Sequence, residues 1–245
     1  MAQVGRRSRA ELEAIARAAE SQLRRAEFLH RLHETAQAQP TPQAMVEQVQ
    51  PYIALSREAG VPARTIAQLI SQRTNMPVWD KELLEYVAQS KKLPSVVLEA
   101  VDETTANWIM DVVYKWLDQK AVTHEEYVHL LTQTVLLLAC DRPSIFIGRG
   151  AQFILPRSQG VAVRLVAPER QRVEWVAQAE KLSREEAAAW VAKTDRARNG
   201  FIKTYFHAEP NDPHIYDAVL NVGRLSTDQA AAVIMALFDA VAPRR

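Results

Sequence analysis

The sequence predicts an α/β fold, a doubly wound parallel sheet of about five strands with helices on both faces. Three observations point there. "SIFIG" (144–148), "GVAVRLVA" (160–167) and "DAVLNV" (217–222) are β-rich and nearly all apolar, as strands buried on both faces are. Stretches of helical periodicity separate these runs, as the crossovers of a parallel sheet require. Charged or glycine residues stand where the strands end, and ligands of such sheets bind beyond the carboxyl ends of the strands.

Taken in order, residues 8–37 repeat alanine, leucine, arginine and glutamate at helical spacing without glycine or proline. Pro40 and Pro42 in "QAQPTPQ" then break the pattern. This defines an N-terminal helical arm with its linker over 1–45 and a core domain over 46–245. The arm reads as a solvated helix packed on the domain or on a second copy, so a homodimer through the arm is one expectation. "YIALS" (52–56) and "MPVWD" (76–80) read as strands joined by a helix over 62–74. A long helical block follows, an insertion over about 81–140 that precedes the third strand. Helices at about 168–181, 184–205 and 226–240 supply the remaining crossovers. Five tryptophans, at 79, 108, 116, 175 and 190, sit mostly at helical spacing among apolar residues and read as packing contacts.

Composition narrows the function. A formal net charge of +1 over 245 residues provides no general field for nucleic acid or anionic lipid. One cysteine, Cys140 in "VLLLAC", excludes an internal disulfide and reads as a buried thiol in a reducing compartment. The basic start of the chain carries Glu11, Glu13 and Glu20 and no apolar run, so it reads as neither a secretory signal nor a transit peptide. A cytoplasmic protein with no membrane and no nucleic-acid partner is the expectation. Seven glycines are few for this length, where about 7% is usual, so each one carries information. Gly60, Gly148 and Gly150 fall where backbone approaches a ligand.

The strand ends repeat one kind of chemistry. Ser56 and Arg57 follow the first strand, Asp80 and Lys81 the second, Arg149 the third, Glu169 and Arg170 the fourth. Arginine's planar fork suits phosphate oxygens, and several forks converging on one crevice suit a phosphate-rich ligand. "AKTDRARNGFIK" (192–203) adds Lys193, Asp195, Arg196, Arg198 and Lys203 on one helix. Asp195 and Arg198, three apart, share a face, and a solvated ion pair is the plainer reading of them. "HEEYVH" (124–129) is not a zinc motif, because histidines five apart diverge on a helix. "DPHIY", with Pro210 and Pro213, reads as a turn before the last strand.

The opening stretch with "NMPVWDKELLEYVA", "SIFIGRGAQFIL", "VRLVAPERQRVEWV", "DRARNGFIKTYF" and "DPHIYDAVLNVGRLSTDQA" resembles successive blocks of the cytidylate kinase-like family. These are P-loop proteins related to bacterial cytidylate kinases, and the resemblance covers the chain from residue 51 to the end. It implies a P-loop-type parallel sheet, ATP and magnesium, and phosphoryl transfer to a nucleoside monophosphate such as CMP or dCMP. By position, the loop from Ser56 to Thr65, with Arg57, Gly60 and Arg64, would hold the donor phosphates. Thr65 would offer the hydroxyl for magnesium. Asp80 and Lys81 would open the monophosphate region, Arg149 would contact the acceptor phosphate, and Asp195 and Arg198 match the family's D-x-x-R. Arg196 and Lys203 would belong to a lid.

The departure falls on the loop itself. Where the family runs S-R-x-x-G-S-G-G-R-x-I-A, this chain has Val61-Pro62-Ala63 in place of S-G-G. Proline has no N–H to offer an anion, and Ala63 stands where an ordinary P-loop carries its lysine. Two further readings therefore stand beside a working kinase. One is an inactive relative serving as a nucleotide sensor or scaffold. The other is a helix-turn-helix over 51–72, which A-G-V-x-x-x-T-I also suits and which requires residues 51–58 to be helical.

Overall fold

The computed structural model of the chain describes residues 48–80 and 126–241. The expected arm over 1–45, Lys81, the insertion up to residue 125, His124, Trp108 and Trp116 lie outside the described residues.

The elements are β1 (Tyr52–Arg57), α1 (Ala63–Thr74), β2 (Val78–Trp79), α2 (Glu126–Asp141), β3 (Ser144–Ile147), α3 (Ala151–Ile154), β4 (Gly160–Val166), α4 (Glu169–Glu180), α5 (Arg184–Phe206), β5 (Ala218–Asn221) and α6 (Thr227–Val241). The helices are numbered over the described residues. All strand pairs are parallel, in the order β2-β3-β1-β4-β5. The doubly wound parallel α/β fold expected from the sequence is therefore the fold observed.

Strand alternation divides the core. Ile53, Leu55, Ile145, Ile147, Val161, Val163 and Leu165 point to the side covered by α1 and α6. Tyr52, Ala54, Phe146 and Ala162 point to the other, under α2, α3 and the end of α5. β1, β3 and most of β4 are buried on both faces because helices cover both. A third apolar cluster joins Ala59, in the loop after β1, to Val173 and Val176 of α4 and to Ala187 and Val191 of α5. Local signals set the helix ends. α5 begins with a capping box in which Ser183 and Glu186 exchange side-chain and backbone bonds. α1 ends at Asn75, whose left-handed backbone (φ 58°) turns its N–H back to the Ser71 carbonyl.

The structure corrects several expectations. A helix-turn-helix over 51–72 is excluded, since residues 52–57 form a strand with four fully buried side chains. β2 is only two residues long. β5 is an edge strand of alternating exposure, with Val219 45% accessible, because only β4 lies beside it. Pro62 stands at the N-cap of α1 (φ −77°, ψ 50°) rather than at its first helical position. Trp190 is exposed rather than packed. Glu169 and Arg170 are exposed at the start of α4, where Arg170 pairs with Glu174 on the surface. Cys140 is buried, as expected, and forms no disulfide. Among the described residues, no helix is long and apolar enough to cross a membrane.

β1 and β4 approach closely where Gly160 meets Tyr52. Gly160 faces Tyr52 in register, and a Cβ there would run into the Tyr52 ring and carbonyl. Tyr52 cannot retreat: it is 1% exposed, and its hydroxyl donates to the Pro156 carbonyl at 3.2 Å. Gly160→Ala is predicted to lower unfolding free energy by about 1–3 kcal/mol, the cost of overpacking a close-packed core. Urea unfolding measures it, and an unchanged midpoint would show that the two strands have slack.

Candidate functional site

The loop after β1 is shaped by a buried guanidinium. Arg172 on α4 donates through Nε to the Ala167 carbonyl at 2.9 Å and through Nη1 to the Ala59 carbonyl at 3.1 Å. It pairs with Asp195 Oδ2 of α5 at 2.7 Å and with Glu58 Oε2 at 3.3 Å. The other Asp195 oxygen accepts the Ala59 N–H at 2.7 Å, and Glu58 accepts the Ala167 N–H at 3.0 Å. The loop, the end of β4 and helix α5 thus meet at one bracket. Asp195 does not pair with Arg198, as the plainer reading of their spacing supposed; it pairs with Arg172.

The bracket decides what the loop has left for a ligand. A phosphate loop binds through backbone N–H groups. Here the Glu58 N–H is bonded to the Leu165 carbonyl at 3.1 Å and the Ala59 N–H to Asp195. Pro62 has none. The Ala63 N–H turns back to the Val61 carbonyl at 2.8 Å, in the tight turn that Pro62 forces. Gly60 keeps the left-handed backbone of the loop at φ 83°.

Opposite the loop, Gly148, Arg149 and Gly150 all adopt left-handed backbone, at φ 78°, 54° and 73°. The two glycines permit close approach on both sides. A Cβ at 148 would occupy the place of the Arg57 guanidinium, and one at 150 that of the Phe206 ring. Arg149 lies over the Phe201 ring at 4.9 Å, which fixes its guanidinium against α5. Arg198 reaches down from α5 and donates to the Arg57 carbonyl at 3.3 Å. Burial pushes the Arg198 pKa below its usual value, and the charges of Arg149 and Arg172 push the same way while Asp195 opposes them. Arg57, Arg149 and Arg198 thus line a cleft of about 670 Å³, with Arg64 and Asp80 at its mouth. A smaller pocket of about 60 Å³ opens beside it, sharing those three arginines and adding Ser56, Gln152 and Arg164.

Not every expected residue joins this cleft. Arg64 and Asp80 come together as an ion pair at 2.8 Å across its mouth. Thr65 is exposed and lines neither cavity, and Arg196 is exposed on the far side of α5. Lys203 pairs with Glu209 at 2.8 Å on the surface. Two functional arginines escape a reading by pattern. Arg172 follows the more conspicuous Glu169 and Arg170, and Arg164 sits inside an apolar strand, where a lone cation was the only signal. For magnesium the donor set is poor. Among the described residues no three acidic, histidine or cysteine side chains gather to hold a metal. Asp80 is engaged by Arg64 and Thr65 stands apart, so these residues do not build a magnesium site of their own.

Comparison with known proteins gives the family and the fold. The profile of the cytidylate kinase-like family matches residues 52–224. An uncharacterised protein from Eubacterium ventriosum superposes with a TM-score of 0.63 at 20% identity, over 78% of this chain and 99% of its own. It shares the fold. A shikimate kinase from Bacteroides thetaiotaomicron gives 0.42 at 12% identity, over 76% and 97%. TT1252 from Thermus thermophilus gives 0.41 at 20%, over 77% and 97%. No curated protein sequence matches the chain.

Breaking the bracket should cost stability. Asp195→Ala leaves Arg172 with only the longer Glu58 contact and leaves the Ala59 N–H without its acceptor. The loss should be about 2–3 kcal/mol, below that of a fully buried pair, because a quarter of the Asp195 side chain meets solvent. Asp195→Asn keeps an acceptor and should lose less. Equal stability of Asp195→Ala and the wild type in urea unfolding would refute the bracket.

Proposed function

The chain belongs to the cytidylate kinase-like family, and from that premise we propose that it binds a nucleoside monophosphate of the CMP or dCMP type and phosphorylates it slowly from ATP. The observation that carries this reading is the convergence of Arg57, Arg149 and Arg198 from three different elements on one cleft. In the proposed reaction an oxygen of the acceptor phosphate attacks the γ-phosphorus of ATP. The bond from that phosphorus to the β,γ-bridging oxygen breaks, and ADP leaves with the electron pair. The acceptor phosphate is already deprotonated, so no general base is required. Arg149 and Arg198 hold the acceptor and neutralise charge that builds on the transferring group. Asp195 acts one step removed, fixing the loop and α5 so that Arg198 meets the acceptor.

The expected rate is low for a stated reason. The loop lacks the lysine, has a proline for one donor and spends the Ala59 and Ala63 N–H groups internally. Each donor missing from a transferring phosphoryl group costs on the order of 10²-fold. The same two internal bonds favour a second reading, a nucleotide sensor or scaffold without turnover.

Calorimetry with CMP and a coupled assay over all nucleoside monophosphates, with ATP and magnesium, separate the two. Arg149→Ala and Arg198→Ala should each weaken CMP binding about 10- to 100-fold, the worth of a charge-assisted hydrogen bond. Unchanged CMP affinity in both would remove the cleft from the reading. Pro62→Gly with Ala63→Gly restores a donor and relaxes the turn, so ATP affinity should rise and any turnover with it. No turnover with any monophosphate, from folded protein that binds CMP, would leave the sensor reading.

A further inference from the structure

Helix α5 turns a single face toward the cleft. Trp190, Lys193, Thr194, Ala197, Arg198 and Phe201 line it, and their spacing is that of neighbouring turns on one side of a helix. Arg198 and Phe201 already have their parts, one toward the acceptor phosphate and the other beneath Arg149. Lys193 has had none. The same cleft takes in Val61 of the loop after β1 and Ala63, the first residue of α1. An ordinary phosphate loop carries a lysine at the position of Ala63, and that lysine reaches the outer phosphates of the donor. A lysine without a task and a position without its lysine therefore border one cavity.

The other cations of the cleft are held by the protein. Arg64 pairs with Asp80 at 2.8 Å, and Arg198 donates to the Arg57 carbonyl at 3.3 Å. Arg149 lies over the Phe201 ring, and the Arg57 guanidinium is seated against Gly148. Lys193 is exposed, and among the described residues no hydrogen bond or ion pair engages its ammonium. The nearest carboxylate in sequence, Asp195, is bonded to Arg172 and to the Ala59 N–H. At a rise of about 1.5 Å per residue, Lys193 precedes Arg198 by about 7.5 Å along the helix axis. The two charges meet a ligand at separate points, as a donor and an acceptor phosphate in one cleft require.

We propose that Lys193 supplies, from helix α5, the ammonium charge to the donor's outer phosphates that the loop after β1 lacks at Ala63. The inference rests on the phosphotransfer reading, since it places a triphosphate in the cleft. An ammonium is a point charge with rotatable donors on a flexible stem, so it serves phosphate oxygens from either wall. A planar arginine fork does not move so freely, because its two parallel bonds fix a plane. Lys193 forms and breaks no bond in the transfer; it draws charge toward the oxygens on which charge builds. Its stem loses rotamer freedom when the donor binds, which is a further reason for weak donor affinity.

The test compares ATP, tripolyphosphate and CMP binding by calorimetry in the wild type and in Lys193→Met, with magnesium present for ATP. Lys193 is exposed and unpaired, so the variant should unfold in urea at the wild-type midpoint. ATP binding should weaken about tenfold, the lower end for a hydrogen bond to a charged group. Tripolyphosphate should show the same loss, because the contact is to phosphate and not to the base. CMP affinity should be unchanged. Lys193→Arg keeps a cation and should recover most of the ATP affinity. Arg184→Met, nine residues earlier and on the opposite side of the same helix, should change none of the three.

Equal binding of ATP by the wild type and Lys193→Met overturns the proposal. So does tripolyphosphate binding that is absent or independent of Lys193. A loss of CMP affinity matching that of ATP also overturns it, by placing Lys193 on the acceptor. Where turnover is measurable, Lys193→Met should raise KM for ATP and leave KM for CMP alone. Turnover untouched by Lys193→Met refutes the inference and keeps the phosphotransfer reading. ATP binding that depends on Lys193, with no transfer to any monophosphate, keeps the inference and refutes phosphotransfer.

Discussion

The site depends on one buried guanidinium. Arg172 touches the loop after β1, the carbonyl that ends β4 and a carboxylate from the middle of α5. These three segments are far apart in sequence, and among the described contacts no other polar group joins all three. The position of α5 over the cleft, and with it that of Arg198, follows from this junction. Apolar packing alone would not fix it so closely. The cluster around Ala59, Val173 and Val191 can slide, whereas two charged hydrogen bonds at 2.7 Å hold a register.

The bracket also redistributes work within the loop. A ligand-shaped phosphate loop needs glycine so that its backbone can close around an anion. Here Asp195 provides that anion from within the chain, on the N–H of Ala59. A loop held by its own carboxylate tolerates Val61, Pro62 and Ala63, because its conformation no longer depends on N–H groups at those positions. The three substitutions and the Asp195 contact are therefore consistent with one another.

Much of this was legible in the sequence, and what was not has a physical reason. The apolar runs after residues 51, 143 and 159 announced a parallel sheet because strands buried on both faces cannot alternate. Pro62 and Ala63 announced a weak loop because proline lacks an N–H whatever its surroundings. Arg149 and Arg198 were read from local pattern, and the fold brings them together. Asp195 was harder: its spacing to Arg198 suggested a surface pair, while its partner lies 23 residues away on α4. Arg164 was hardest. A pattern reading takes "VAVRLVA" as a strand with one stray charge, and only the packing of β4 against β1 shows that this charge faces a cavity. Val219 failed in the other direction, since an apolar run does not reveal which strand lies at the edge.

The two halves of the cleft are consequently built to different standards. They differ in that the arginines arrive from β1, the turn after β3 and α5, each fixed by a contact with the protein: Gly148 beneath Arg57, Phe201 beneath Arg149, and the Arg57 carbonyl beneath Arg198. Such groups are pre-organised and give up little entropy when an anion arrives. In the loop after β1 the Glu58, Ala59 and Ala63 N–H groups are bonded to the protein itself. An anion placed against this loop must displace those bonds or forgo the N–H groups that make them. The arginine cleft is thus pre-organised, while the loop beside it has spent several of its N–H groups on its own structure.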